Sequence, residues 1–148
     1  MIDYKYKYLK YKNKYLSMKK NQVGGGNNTE YKIPNITIGH SIKIDDRGVF
    51  ANQDYKTGET IEICPALQQS KEHSDGNIKN YLFHLNETTD LVGFGYCSMY
   101  NHSDHPNASW IVNNDNIQIY ATSDITKDEE IFISYGPNWF SQRNIPQK

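Results

Sequence analysis

Beyond residue 33, apolar and polar residues alternate in short runs, and turn-forming residues separate one run from the next. A period of two places successive side chains on opposite faces of a strand, so each run predicts a β-strand with one buried face. The predicted strands contain Ile42 and Ile44, residues 49–51, Ile61 and Ile63, and residues 108–112, 117–121 and 131–135. Turns are predicted at residues 56–59 and 113–116. This pattern indicates a mainly β fold.

The segments 79–85 and 92–100 show no clean period, and they predict short helical turns or coil. The last run is more informative, because Tyr135 shares a strand face with Ile131 and Ile133. We therefore expect the Tyr135 hydroxyl to point into the protein.

The composition is that of a single small domain. The chain has 148 residues, of which 36% are hydrophobic. No run approaches the ~20 apolar residues of a membrane span, and the N-terminus lacks the apolar core of a secretory signal. We expect an intracellular protein that is neither secreted nor membrane-bound. Cys64 and Cys97 fit no metal-ligand spacing, so we predict buried or free thiols and no metal site.

Charge divides the chain into two parts. Residues 1–23 carry a net charge of +6, and the remainder carries −7. An acidic body attracts basic peptides and disfavours nucleic acid, so we expect a basic protein partner and no direct nucleic-acid binding by the folded domain. The acidic charge of the body is explained at least as well by carboxylates that only keep the protein soluble.

The basic N-terminal segment, residues 1–23, is rich in tyrosine and lysine. Helical spacing would align one face, made of Tyr4, Tyr8, Tyr11, Tyr15 and Met18. Such a face could bind a partner helix, an acidic surface or nucleic acid. A Gly/Asn-rich linker follows at residues 24–32. The segment resembles the leaders of proteins from giant amoeba-infecting viruses, which implies a host nucleus or a virion as the location; a flexible or cleaved leader is the alternative.

Six short motifs follow one another in the body. They are DRGVFA at 46–51, YLF at 81–83, GFG at 93–95, NHSDHPN at 101–107, DEEI at 128–131 and ISYG at 133–136. Each is weak alone, but the succession is specific. It resembles the SET domain of protein-lysine methyltransferases, in the minimal form found in viruses, over residues 33–140.

The resemblance implies several small sheets with short helices and a C-terminal pseudoknot, an exception to the usual unthreaded topology. Residues 141–148 would form a tail. It also implies that S-adenosyl-L-methionine is the cofactor and that the methyl acceptor is a lysine amine in a protein, with a histone tail as the expected substrate. Residues 66–77 occupy the insert that often contacts the substrate peptide. The resemblance leaves open whether the protein forms a homodimer.

The resemblance assigns roles residue by residue. Tyr135 matches the catalytic tyrosine, and Tyr81 matches a tyrosine that lines the lysine channel. The positions that match cofactor-binding residues are Arg47, Gly48, Asn101, His102, Trp139 and Phe140.

Two departures from the family pattern bear on function. Asp46 replaces the first glycine of a G-x-G loop, although Asp tolerates positive φ better than most residues. This leaves a degenerate SET module that binds peptide without turnover as one alternative, and a virion or scaffold protein acting through residues 1–23 as another. Asp104 stands where many relatives have a zinc-binding cysteine, so we expect no zinc, with Trp139 and Phe140 closing the site.

Overall fold

Short β-strands are the main regular secondary structure in the computed structural model, which describes residues 30–74 and 76–146. In this part of the chain the strands are β1 (Ile36–Ser41), β2 (Asp46–Ala51), β3 (Thr60–Ser70), β4 (Leu82–His84), β5 (Thr89–Gly93), β6 (Asn101–His102), β7 (Ala108–Val112), β8 (Asn116–Ala121) and β9 (Phe132–Ile133). Short 3-10 helices span Lys71–His73, Gly76–Tyr81 and Cys97–Met99, and one α-helix, α1, spans Trp139–Arg143. These elements lie in one compact unit, Tyr31–Lys148.

The described strands form three small sheets. β1 and β2 make an antiparallel hairpin, and the largest sheet is antiparallel with the order β4-β5-β3-β8-β7. β6 and β9 are distant in sequence but pair in parallel, with Asn101 opposite Phe132 and His102 opposite Ile133. Small sheets with short helices confirm the predicted fold class. The β6–β9 pair joins the two segments that the predicted C-terminal crossing requires to meet.

A single cluster of buried apolar side chains unites the hairpin with the large sheet. The alternation in β8 explains which of its side chains enter this core, because Ile117 and Ile119 are fully buried whereas Gln118 between them is only half-buried. One buried position in β3 is not apolar: Glu62 is 5% exposed. The core therefore encloses a carboxylate, which must find hydrogen-bond donors there.

Two local predictions are confirmed by the hydrogen bonds that close their turns. The predicted hairpin of residues 108–121 is β7–β8, closed by the Asn113 N–H donating to the Asn116 carbonyl at 2.9 Å. The turn at residues 56–59 is closed by the Glu59 N–H donating to the Lys56 carbonyl, also at 2.9 Å.

The predicted strand containing Ile42 and Ile44 is wrong. β1 ends at Ser41, and pairing of Ser41 with Asp46 leaves residues 42–45 as the turn of the β1–β2 hairpin. Asp45 adopts φ 56°, and its N–H donates to the Ser41 carbonyl at 2.9 Å. Ile42 is 91% exposed. Ile42 and Ile44 do alternate with polar residues, but the register between β1 and β2 places both of them in the turn of the hairpin.

Short helical turns or coil were predicted for the irregular segments 79–85 and 92–100, and the 3-10 helices Gly76–Tyr81 and Cys97–Met99 overlap them. The two segments also contain β4 and the end of β5, which were missed. The final predicted strand, 131–135, shrinks to Phe132–Ile133. Its facing was correct, because Ile131 and Ile133 are buried and the Tyr135 hydroxyl points inward.

The prediction of buried thiols is confirmed, since Cys64 and Cys97 are both free and buried. The predicted N-terminal segment, residues 1–23, and most of the linker lie outside the described residues. No helix within residues 30–74 and 76–146 is long and apolar enough to cross a bilayer.

Candidate active site

Four chain segments meet around a partly open cavity of about 340 Å³, here called the main cavity. They are the start of β2 with the turn before it, the 3-10 helix Gly76–Tyr81, the segment from Ser98 to β6, and the chain from Tyr135 through α1 to Pro146. The cavity is lined by Ile44, Asp46, Arg47, Asn80, Tyr81, Ser98, Met99, Asn101, His102, Tyr135, Trp139, Phe140, Ile145 and Pro146. All of the site residues expected from the sequence lie on this wall except Gly48.

The NHSDHPN segment holds the C-terminal strand in place. Asn107 donates to the Glu130 carbonyl at 2.9 Å and accepts from the Phe132 N–H at 2.8 Å. The Ser103 N–H donates to the Ile133 carbonyl at 3.1 Å. These bonds flank the β6–β9 pair, so they fix the two segments that bring Asn101 and His102 beside Tyr135.

Asn101 connects the site to β2. Its amide donates to the Arg47 carbonyl at 2.7 Å and to Glu130 Oε1 at 3.0 Å. Glu130 Oε2 in turn accepts from the Ser41 hydroxyl at 2.8 Å. Glu130 was noted within the DEEI motif but was not expected at the site. Its carboxylate ties the β1–β2 hairpin to the NHSDHPN segment.

Gly48 explains the close approach of these elements rather than lining the cavity. It is buried, and a Cβ built on it would collide with Glu130 Oε1 and lie 3.0 Å from Ser41 Cβ. Its role toward a cofactor stays a prediction. Asp46 is the first residue of β2, and the positive φ expected of it falls on Asp45. The substitution of glycine by Asp46 therefore needs no unusual backbone conformation.

His102 is fixed at both ring nitrogens. Nδ1 accepts from the Tyr135 N–H at 3.1 Å, which leaves Nε2 to donate to Asp104 Oδ1 at 3.2 Å. The ring centroid lies 5.3 Å from that of Tyr135 and 5.0 Å from that of Phe140. Asp104, which stands in place of a zinc-binding cysteine, thus orients the imidazole.

The Tyr135 hydroxyl is held by the backbone. It donates to the Tyr100 carbonyl at 2.7 Å. Burial, with a smaller contribution from the nearby Tyr81, raises the pKa of Tyr135 to about 12, and Arg47 partly offsets the shift. The side chain is therefore a neutral phenol at physiological pH, and its hydrogen is donated to Tyr100, which leaves its oxygen lone pairs to accept from other groups.

Aromatic rings close the C-terminal side of the cavity. The Trp139 centroid lies 4.7 Å from Tyr135 and 4.9 Å from Phe140. Arg143 lies 4.5 Å above the Trp139 ring and donates to Asn80 Oδ1 at 3.1 Å, so α1 is tied to the 3-10 helix that carries Tyr81. Residues 141–148 were expected to form a simple tail. Residues 141–143 instead belong to α1, and Ile145 and Pro146 line the main cavity.

Two more spaces lie against the same tyrosine. The inner slot, about 50 Å³, is bordered by Tyr81, Phe83, Tyr100, Trp110 and Tyr135, among others. The outer cleft, about 350 Å³, is bordered by Lys71, His84, Asp90, Trp110 and Tyr135, among others. Tyr135 and Trp139 line all three spaces, and Tyr81 lines the main cavity and the inner slot. Two substrates could therefore approach Tyr135 from different spaces.

Within the described residues, no group of three or more His, Cys, Asp or Glu side chains could hold a metal ion. The wall of the main cavity offers aromatic rings, amide and imidazole groups and a neutral phenol. These groups suit the binding and orientation of an organic cofactor.

Distant segments of this mainly β domain frame a partly buried phenol beside an Asn-His pair, and this arrangement defines the class of protein. The sequence model of the SET domain matches residues 46–136, and the chain belongs to this family. It is a SET-domain protein-lysine methyltransferase.

Relatives agree with this assignment. Over 102 residues the chain is 38% identical to the histone-lysine N-methyltransferase, H3 lysine-37 specific, of Schizosaccharomyces pombe, covering 64% of this chain and 69% of that protein. The crystal structure of a candidate histone methyltransferase from Plasmodium falciparum is similar, with a TM-score of 0.64 and 38% identity over 72% of this chain and 97% of that one.

Proposed function

We propose that this chain transfers a methyl group from S-adenosylmethionine to a lysine side chain of a basic protein, with a histone tail as the substrate. The observation that supports this most strongly is the position of Tyr135, which lines the main cavity, the inner slot and the outer cleft. A cofactor in the main cavity and a lysine entering through the other two would meet at its hydroxyl.

The wall of the main cavity fits the chemistry of S-adenosylmethionine, which supplies an activated methyl group on a sulfonium sulfur when bound. Phe140 and Trp139 would pack against the adenine, and Asn101, His102 and Arg47 would hold the polar portions. Asp46 adds an anionic group to the wall, which favours a ligand that carries an ammonium group.

Alignment and deprotonation of the lysine are the main tasks of the protein. Holding two reactants in attack geometry is worth ~7–11 kcal/mol. A lysine with an unperturbed pKa of ~10.4 is neutral in only about one molecule per thousand near pH 7.4, which corresponds to ~4 kcal/mol. Burial of the amine among Tyr81, Phe83 and Trp110 would lower its pKa, and proton loss to water then needs no side-chain base.

Tyr135 would orient the reacting groups without exchanging a proton. Its raised pKa keeps it neutral, and its hydrogen is donated to Tyr100, so the oxygen lone pairs can contact the methyl group through weak C–H···O bonds. The same dipole would lie near the positive charge that shifts from the sulfonium to the lysine nitrogen during transfer.

The test is transfer of labelled methyl groups from S-adenosylmethionine to histones and basic peptides by wild type and Tyr135→Phe. We expect transfer by wild type and a loss of about 100-fold or more in the variant. Both proteins should bind the cofactor. Binding is measured by the thermal shift, since ligand at about 100 times its dissociation constant adds ~2.7 kcal/mol of stability. Absence of a thermal shift with S-adenosylmethionine in wild type would instead support a degenerate module, and transfer to non-histone proteins alone would remove the histone from the proposal.

A further inference from the structure

Glu62 is a buried carboxylate that the proposed chemistry does not use. It lies in β3 and is 5% exposed. Both oxygens are satisfied: Oε1 accepts from the Tyr96 N–H at 2.8 Å, and Oε2 accepts from the Tyr100 hydroxyl at 3.1 Å. A carboxylate in a core is costly unless it is hydrogen-bonded, so the position calls for a specific explanation.

The two partners of Glu62 lie at the two ends of one short segment. Tyr96 precedes the 3-10 helix Cys97–Met99, and Tyr100 follows it. The preceding residue, Gly95, has φ 138°, and a Cβ there would lie 2.7 Å from Glu62 Oε1. The segment 96–100, here called the clamp segment, is therefore folded directly against the carboxylate and anchored by it at both ends.

The clamp segment in turn holds both tyrosines of the proposed site. The Tyr100 carbonyl accepts the Tyr135 hydroxyl at 2.7 Å. The Ser98 hydroxyl donates to the Tyr81 carbonyl at 3.2 Å. A displacement of this segment would move the acceptor that fixes the direction of the Tyr135 O–H bond and, with it, the support of Tyr81.

We propose that Glu62 is a positioning residue for methyl transfer, acting through the clamp segment on the hydroxyl of Tyr135; this rests on the function proposed above. With the Tyr100 carbonyl in place, the phenol hydrogen is directed to that carbonyl, and the oxygen lone pairs are left to face an incoming cation. Without that acceptor, the hydroxyl rotates, and its hydrogen end can point toward an incoming cation. Glu62 thus acts on the chemical step rather than on binding.

The experiment compares Glu62→Ala, Glu62→Gln and Tyr100→Phe with a matched control, Tyr55→Phe. Tyr55 is also buried in the core, 3% exposed, but its hydroxyl donates to the Asn35 carbonyl at 3.1 Å. Glutamine keeps an acceptor for the Tyr96 N–H and has an amide that can donate to the Tyr100 oxygen. It should therefore rescue most of what alanine loses.

We expect Glu62→Ala to lower kcat roughly 10- to 100-fold with little change in either KM. Tyr100→Phe should lower kcat in the same way by a smaller factor, and Tyr55→Phe should leave it near the wild-type value. If Glu62→Ala does not fold, the comparison of Tyr100→Phe with Tyr55→Phe still decides the question. A loss that appears in KM, or one of equal size in both tyrosine variants, would overturn the proposal.

A second readout does not depend on turnover. In protein containing isotope-labelled tyrosine, the ring carbon that bears the Tyr135 hydroxyl reports its hydrogen bond through the chemical shift, with Tyr135→Phe supplying the assignment. We expect this shift to move in Glu62→Ala and Tyr100→Phe but not in Tyr55→Phe. If wild type transfers no methyl group yet the shift responds, the proposed function fails while the positioning by Glu62 stands; an unresponsive shift contradicts the positioning itself.

Discussion

Gly48→Ala tests how closely the β1–β2 hairpin must approach the site, and we predict a less stable protein that binds S-adenosylmethionine more weakly. A Cβ at position 48 would collide with Glu130 Oε1 and lie 2.8 Å from Glu130 Cδ. The carboxylate cannot move aside freely, because it accepts hydrogen bonds from Ser41 at 2.8 Å and from Asn101 at 3.0 Å. Relief of the collision therefore breaks a contact of the cavity wall.

The expected magnitude follows from three terms. Overpacking costs roughly 1–3 kcal/mol. Loss of one hydrogen bond to a charged group costs roughly 1.5–3 kcal/mol. Replacing glycine within a strand returns about 0.5–1 kcal/mol of chain entropy. The net loss is about 1.5–5.5 kcal/mol, which at roughly 4 °C for each kcal/mol lowers Tm by about 6–22 °C.

Gly39→Ala is the matched control. Gly39 pairs with Gly48 across the same hairpin, but its Cβ would meet the edge of the half-buried Phe50 ring at 3.1 Å, away from the main cavity. That ring can shift without breaking a hydrogen bond. Urea unfolding and calorimetric titration with S-adenosylmethionine measure both effects. Equal loss of stability in the two variants, or unchanged cofactor affinity in folded Gly48→Ala, would refute the reasoning.

Two further predictions concern the aromatic wall and the phenol. Phe140→Ala should raise the dissociation constant for S-adenosylmethionine about tenfold, measured by calorimetry, with kcat for bound substrates little changed. Burial raises the pKa of Tyr135 from 10.0 to about 12, so the folded protein holds this proton more tightly than the unfolded chain. Its contribution to stability is complete below pH 10 and is lost as the pH rises to about 12; urea unfolding at increasing pH should show a shallower decline in Tyr135→Phe.

Local patterns predicted those parts of the fold that local interactions determine. The β7–β8 hairpin was foreseen because residues 113–116 provide both the turn and the bond that closes it. Ile42 was misplaced because alternation cannot reveal the register between β1 and β2, which alone decides where the turn begins. β5 was missed because its buried Leu91 lies beside partners on both sides, β3 and β4, and the strand lacks a regular polar face.

In the candidate site, too, local features were predictable from the sequence pattern and contacts between distant residues were not. The inward direction of Tyr135 followed from the alternation with Ile131 and Ile133, but its proximity to Asn101 followed only from the family resemblance. Glu62 gave no signal beyond a polar residue in an apolar run. Its partners lie 34 and 38 residues away in sequence, at Tyr96 and Tyr100, and no local period links positions so distant.

Tyr135 is held by contacts from separate segments, and this determines which part of the molecule controls its position. Its hydroxyl is bound by Tyr100, its N–H by His102, and its ring packs on Trp139. The first two contacts come from residues that lead into and form β6, which is only two residues long and is paired solely with β9 among the described strands. So short a pair cannot hold its own register by backbone hydrogen bonds, and the side chains that flank it, Asn107 above all, must supply the rest. Activity should therefore depend more on the contacts that hold β6 against β9 than on the large sheet, although the large sheet contains most of the core.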